Sequence, residues 1–459
     1  MEQVVKTHRD YFQTGVTHQL LVRLNALHRL SKVLEDMEGS IIEALVQEMG
    51  KPAYEAFLTE IAMVYEEIEY VTANLKKWMK PQSTGRSINT MMGKGKITSE
   101  PLGVVLIIVP TNYPVNLALL PLVAAVSAGN SVIIRTPSEL PLVSKSLKRL
   151  IERVFRSGHV TVVEGKEDEN HELLEQRFDK IMFTGSSKTG KRIMAKAAEN
   201  LTPVLLELGG KNPAIVLRDA DVVAAARKIA WGKFLNAGQT CIAPDHVYVQ
   251  REVKTAFIEE LKQALYEFYK GEALEGSSYS QIGTRRHYDR LKGMLTGDLN
   301  IAVGGSFNEQ KRTIEPTIVL DVPKDHPLME GEIFGPILPV LTYTNINKVI
   351  KQVRLREKPL AAYVFGQDVN FANKVMERIP SGGGAINETI LQVSSVDMPF
   401  GGVGHSGMGS YHGKYGFDAF SHQRSILTGQ ANISNGMIYP PYDSWKEKLL
   451  RGILGRKKG

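Results

Sequence analysis

From Gly103 onward short apolar runs alternate with helical stretches, and this alternation constrains the fold more than any other feature of the chain. Val104-Val-Leu-Ile-Ile-Val109 holds no polar residue that could face water, as a strand covered on both faces requires. A helix is predicted over Leu117–Ala128, a strand over Ser131–Arg135 and a helix over Leu142–Phe155. Strands over Val160–Val163 and Lys180–Thr184 follow, then a helix over Lys188–Asn200. Pro203–Glu207 leads into Gly209-Gly210, and Ile215-Val-Leu217 opens a second α/β region running to about residue 400. Consecutive βαβ units imply a parallel, doubly wound sheet with ligands at the carboxyl ends of its strands. At 459 residues the chain is too long for one core, so two or three domains are expected.

Ahead of this region Leu20, Leu24, Leu27, Leu30 and Leu34, then Ile41, Leu45 and Met49, recur at helical spacing. Gly50-Lys51-Pro52 breaks the run, and Phe57, Ile61, Val64, Ile68, Val71, Leu75 and Trp78 form a second stripe. Both stripes read as packing faces. Gln82–Ser99 is polar and fits either a linker or an extended arm. The longest apolar run, Leu117–Val126, is interrupted by Pro121 and too short to span a bilayer, and Met1–Asp10 gives no secretory signal. One cysteine excludes an intrachain disulfide and fits a reducing, cytoplasmic setting. Net charge is +7, but six basic residues and one acid lie between Trp445 and Gly459, so the tail alone carries +5. The body therefore gives no reason to invoke nucleic acid.

That one cysteine, Cys241, lies in Phe234-Leu-Asn-Ala-Gly-Gln-Thr-Cys-Ile-Ala-Pro-Asp245, among residues small enough for backbone to lie against a flat ligand. A buried hydrophobe is the ordinary role of a lone thiol; a nucleophile needs an activator and a stabiliser of charge. Phe183-Thr-Gly-Ser-Ser-Lys-Thr-Gly190 follows a strand and opens a helix, a setting that favours a phosphate as readily as it makes a plain turn. Gly402-Val-Gly-His-Ser-Gly407 matches G-x-G-x-x-G but has neither a strand before it nor a helix after it, so it is not read as a dinucleotide fingerprint. Glu207 stands at a strand end, where a carboxylate is ordinarily solvated or capping. Asn112, in Pro110-Thr-Asn-Tyr-Pro114, sits where such sheets keep active-site groups and equally where a turn asparagine belongs. Eleven scattered histidines without ligand spacing give no metal site.

As a set, Thr111-Asn-Tyr-Pro114, Phe183-Thr-Gly-Ser186, Glu207-Leu-Gly-Gly-Lys-Asn-Pro213, Gly238-Gln-Thr-Cys241, Glu332-Ile-Phe-Gly-Pro336 and Pro399-Phe-Gly-Gly-Val-Gly404 resemble the aldehyde dehydrogenase superfamily over roughly residues 10–428. The late Ser406-Gly-Met-Gly-Ser-Tyr-His-Gly-Lys-Tyr415 is most similar to its class 3 branch, which takes fatty, aromatic and carotenoid-derived aldehydes and is typically dimeric. The resemblance implies a Rossmann-type NAD(P)-binding domain (1–81 and 99–207), an α/β catalytic domain (208–400) and a small oligomerisation arm (82–98 and 401–430). It makes Cys241 the nucleophile, Glu207 the general base, and Asn112 with the Cys241 N–H the oxyanion hole. Gly185, Ser186 and Gly190 would hold the pyrophosphate, Glu332 the nicotinamide ribose, and Phe334 would pack near the ring. The implied reaction is NAD- or NADP-dependent oxidation of an apolar aldehyde to its carboxylate through a cysteine thioester. Transfer of the acyl group to coenzyme A is the alternative, and a non-catalytic relative a remoter one.

Two departures from the family pattern stand out. Thr111 replaces a common aromatic and is expected to widen the pocket. Arg135-Thr-Pro-Ser-Glu139 is one residue longer than the family's Lys-Pro-Ser-Glu, which contacts the adenosine ribose; Arg135 would suit NADP and Glu139 would suit NAD. Residues 431–459 form a basic tail in which Trp445, Leu449, Leu450, Ile453 and Leu454 share a helical face. Such a segment suits weak peripheral contact with an anionic membrane, docking on the protein's own body, a frayed end or, as in class 3 relatives, capping of the substrate funnel.

Overall fold

The apolar runs fold as five parallel strands: β1 (Val104–Ile108), β2 (Ser131–Thr136), β3 (Val160–Glu164), β4 (Lys180–Gly185) and β5 (Val204–Leu208). The computed structural model describes residues 1–85, 93–165, 172–430 and 436–455. All five residues of β1 are buried, as a central strand covered on both faces must be. The expected helices are present as Asn116–Ala128, Pro141–Val154 and Ser187–Ala198. The first is buried throughout and runs on through Pro121.

The second α/β region is a seven-stranded sheet built from β6 (Pro213–Val216), β7 (His246–Gln250), β8 (Asn300–Val303), β9 (Thr317–Leu320), β10 (Ile337–Tyr343), β11 (Ala361–Phe365) and β12 (Gly383–Ile386), in the order β8-β9-β10-β7-β6-β11-β12. Only β8 pairs antiparallel. Val216, Val247, Val249, Ile318, Leu338 and Phe365 join Phe257 and Leu261 of a covering helix in one core. A last strand, β13 (Gly407–Met408), returns to the first sheet and pairs antiparallel with β5, so its order is β13-β5-β4-β1-β2-β3. The G-x-G-x-x-G match therefore feeds a sheet edge, and its order reverses between β1 and β4, where such sheets bind ligands.

The N-terminal stripes pack as expected, with Leu27, Leu30, Leu34, Ile41 and Leu45 buried in the Leu20–Met49 helix. Phe57 departs from its stripe and is exposed, because Phe57–Ala62 is wound as a π-helix whose wider turn shifts the side-chain phase. The same turn brings Glu60 inside with no solvent exposure.

These sheets and helices belong to one unit, Met1–Trp78 with Glu100–His422; Met79–Ser99 with Gln423–Gly459 form a second. In the second, Gln82–Ser83, Lys94–Pro101 and Ser421–Thr428 make a three-stranded sheet, with residues 86–92 of the expected arm outside the described residues. The tail forms the helix Ser444–Gly455, which exposes Trp445, Leu449 and Ile453, while Arg456-Lys-Lys458 lies outside the described residues. Among the described residues no helix is long and apolar enough to cross a membrane.

Candidate active site

Four of the sequence candidates stand at the carboxyl ends of adjacent strands. Asn112 follows β1, Gly185-Ser186 ends β4, and Glu207 lies in β5 beside Thr184 of β4 and Gly407 of β13. Cys241 comes from the loop that leads into β7 of the other sheet. The helix Val222–Phe234 ends ahead of β7, and Asn236, Ala237 and Gly238 turn the chain with φ of 52°, 51° and 73°. Successive left-handed residues are costly for side chains other than glycine, so surrounding bonds must hold them. Asn236 donates Nδ2–H to the carbonyls of Asn112 (3.0 Å) and Gln239 (3.2 Å), while its N–H reaches Glu55 Oε1 (3.0 Å). Gln239 Nε2 donates to the Asn236 and Gln281 carbonyls, and its Oε1 accepts from Gly283 N–H.

Two cavities meet at Thr184, Glu207 and Cys241. One, about 230 Å³, is largely apolar, with Leu58, Met63, Leu117, Trp231, Ile390 and Phe400 among its walls. The other, about 400 Å³, is lined by Asn112, Gly185, Ser186, Gly209, Glu332 and Phe334. Thr111 lies in this second cavity and not among the lining of the apolar one, so its small side chain leaves the apolar pocket unchanged. Asn112 is buried, with Nδ2 3.1 Å from the Gln239 carbonyl, two residues before Cys241.

Electrostatics at this junction are set by burial. Glu207 is 2% exposed, neither carboxyl oxygen has a protein partner, and desolvation raises its pKa well above the carboxylate range. The Cys241 thiol is likewise raised, by desolvation first and then by Glu332 and Glu207, against backbone N–H donation. Thiol and acid are thus both protonated at rest. Glu332 is raised to about 8 by desolvation and Asp245, opposed by the Gly210 N–H, Arg290 and Lys233. A thiol, an unpartnered carboxyl and a side-chain amide lining common space can attack, deprotonate and stabilise an oxyanion.

Two glycines are closely packed in the second cavity. A Cβ at Gly209 would overlap the Glu332 carboxylate, and one at Gly185 would strike the Phe183 ring, so a side chain at either position would force its neighbour to move. Ser186 caps the Ser187–Ala198 helix by accepting from Thr189 N–H. Gly190 lines no described cavity; its hydrogen lets that helix close on Leu208, where a Cβ would come within 2.8 Å. Phe334 takes φ 50°, its carbonyl 2.6 Å from His287 Nε2. Arg135 is not in this cavity: it lines a third, about 520 Å³, with Thr189, Arg192 and Lys196, and the charge of exposed Glu139 acts on it. Among the described residues no cluster of metal-ligating side chains occurs.

Sequence reasoning missed the side chains that pin these loops. Asn212 Nδ2 donates to the Cys241 (2.8 Å) and Ala243 (3.0 Å) carbonyls, and its Oδ1 accepts from Ala361 N–H. Lys211 donates to Asp245 and to the Leu328 and Gly331 carbonyls, while Asp245 accepts from Ile333 N–H (2.7 Å). The Cys241 and Glu332 loops are thereby tied together. Lys211, Asn212 and Asp245 lie inside or beside the quoted motifs; only their partners, up to 149 residues away, were invisible.

Residues 1–426 match the aldehyde dehydrogenase family. The chain is 41% identical to 4,4'-diaponeurosporen-aldehyde dehydrogenase of Staphylococcus aureus over 444 residues, 96% of each chain. It is also 41% identical to the dimeric NADP-preferring aldehyde dehydrogenase of Rattus norvegicus over 428 residues, 93% of this chain and 94% of the relative. Among solved structures, the substrate-bound state of Staphylococcus aureus AldH superposes with a TM-score of 0.96 at 40% identity, covering 99% of both chains. The chain therefore belongs to the aldehyde dehydrogenase family and is an NAD(P)-dependent oxidoreductase acting on aldehydes.

Proposed function

We propose that the protein oxidises apolar aldehydes to carboxylates through a thioester on Cys241. The observation that carries this reading is the meeting of the apolar and polar cavities at Thr184, Glu207 and Cys241. The aldehyde enters from the apolar side, with its carbonyl at Cys241. Both acid and thiol are protonated at rest, so Glu207 first releases its proton to solvent and, once ionised, takes the thiol proton as the sulfur attacks, through contact or one water. Asn112 Nδ2 and the Cys241 N–H receive the oxyanion. NAD or NADP, when bound against Gly185, Ser186, Glu332 and Phe334, supplies the acceptor for the aldehyde's hydride. Glu207 passes that proton to solvent and, ionised again, draws a proton from water as the water oxygen attacks the thioester; collapse breaks the C–S bond and releases the acid, and the Cys241 thiolate takes the proton back from Glu207.

The apolar lining and the staphylococcal relative, named for a carotenoid-type aldehyde, support an apolar substrate. Arg135 and Arg192 in the third cavity support acceptance of NADP, as in the relative named NADP-preferring, with Glu139 tempering it. That relative is also named dimeric, which supports a homodimer built on the arm, residues 82–98 and 401–430. The exposed apolar residues of the tail helix support peripheral membrane contact beside a cytoplasmic pool. The reading is tested with aliphatic aldehydes of rising length and aromatic ones, each with NAD and NADP. The expected result is kcat/KM rising with apolar size and no turnover by Cys241→Ser. Turnover surviving that substitution, or a preference for charged semialdehydes, contradicts it.

A further inference from the structure

Lys51 and Glu60 form an ion pair of 2.6 Å in which neither side chain has any solvent exposure. Burying two charges is expensive, and such pairs need further hydrogen bonds to hold them. Those further bonds lead to the active site. Glu60 Oε2 accepts from Val115 N–H (2.9 Å) and Asn116 N–H (3.0 Å), holding the start of the Asn116–Ala128 helix just after the Asn112 turn. Lys51 Nζ donates to the Asn112 carbonyl at 3.1 Å and lies 4.3 Å from the Tyr113 ring centroid. The same carbonyl accepts Asn236 Nδ2 from the Cys241 loop at 3.0 Å, and the Tyr113 hydroxyl meets Thr240 Oγ1 at 2.6 Å. One peptide oxygen thus receives a fixed ammonium from the N-terminal helices and a side-chain amide from the nucleophile loop. The π-helical turn that breaks the packing stripe is what brings Glu60 to this place.

We propose that Lys51 is a positioning residue: paired with Glu60, it fixes the Asn112 peptide against the Cys241 loop, so that the Asn112 amide is already aimed when the oxyanion forms. This rests on the reading of Asn112 as an oxyanion donor. A preorganised donor costs no reorganisation during reaction, and a displacement of about 1 Å can lower a rate on the order of 100-fold.

Removing Lys51 alone would strand the Glu60 charge, so the test uses Lys51→Met with Glu60→Gln, which keeps the site neutral and retains an acceptor for the helix start. Single-turnover nicotinamide reduction is measured for the full chain, this double variant, Asn112→Ala and the triple variant. The expected losses are about 10- to 100-fold for the double variant and about 100- to 1000-fold for Asn112→Ala, with the triple variant no slower than Asn112→Ala. Losses that multiply show that Lys51 does not act through Asn112 and overturn the inference alone. A native rate in the double variant does the same. A native rate in Asn112→Ala removes the oxyanion reading, and this inference with it. Should the double variant fail to fold, Lys51→Arg keeps the charge while shifting the donor, and its loss must also vanish in the Asn112→Ala background.

Discussion

At residue scale the site combines groups that the fold makes unstable in their reactive forms. The Glu207 carboxyl is enclosed by β4, β5 and β13 with no partner for either oxygen, so it is neutral at rest and a strong base once ionised. The cost is legible in stability. A carboxyl whose folded pKa is raised above its unfolded value keeps its proton in the native state while the unfolded chain loses it, so stability falls as pH rises through that window. Glu207→Gln removes the loss. Its Tm should exceed that of the native protein at pH 8, and the gain should shrink as pH falls towards 5. A gain that is the same at both pH values would show that Glu207 is not buried neutral.

At element scale the loops matter more than the strands. Gly238 turns with φ 73°, and a Cβ there would collide with the Gly335 carbonyl of the Glu332–Pro336 loop. Gly238→Ala should therefore cost on the order of 2 kcal/mol or more and lower Tm by several degrees, together with activity. Unchanged thermal unfolding would mean that the two loops do not meet as closely as described. The strand β1 was legible in the sequence because burial on both faces leaves an unbroken apolar run, and β2 to β4 as short β-rich runs between helical stretches. Cys241, Glu207, Asn112 and Glu332 were legible through the motifs that carry them. Lys51, Asn212 and Asn236 were not: each acts on a backbone carbonyl, which any residue supplies and no pattern marks. The π turn at Phe57–Ala62 escaped because hydrophobic spacing assumes 3.6 residues per turn. Arg135 and Glu139 read as a pair in sequence, yet only Arg135 enters the third cavity.

At the scale of the whole molecule, the tail helix leaves Trp445, Leu449 and Ile453 exposed beside Lys446, Lys448 and Arg451. Each basic residue adds only about 1 kcal/mol near an anionic surface, so binding should be reversible and salt-sensitive. The full chain should co-sediment with anionic vesicles at low salt, and removal of residues 445–459 should abolish this while activity on a short aldehyde persists; equal sedimentation would deny the tail a membrane role. The central claim concerns the place where two cavities meet, with Cys241 from the loop ahead of β7 and Glu207 from β5. Its most direct test is rapid mixing of Glu207→Gln with an apolar aldehyde and NAD, followed by intact-mass analysis. The account predicts slow formation of one equivalent of NADH per site, then a stall with the acyl group retained on Cys241. Steady turnover near the native rate, or a modified protein lacking the acyl mass at Cys241, would contradict it.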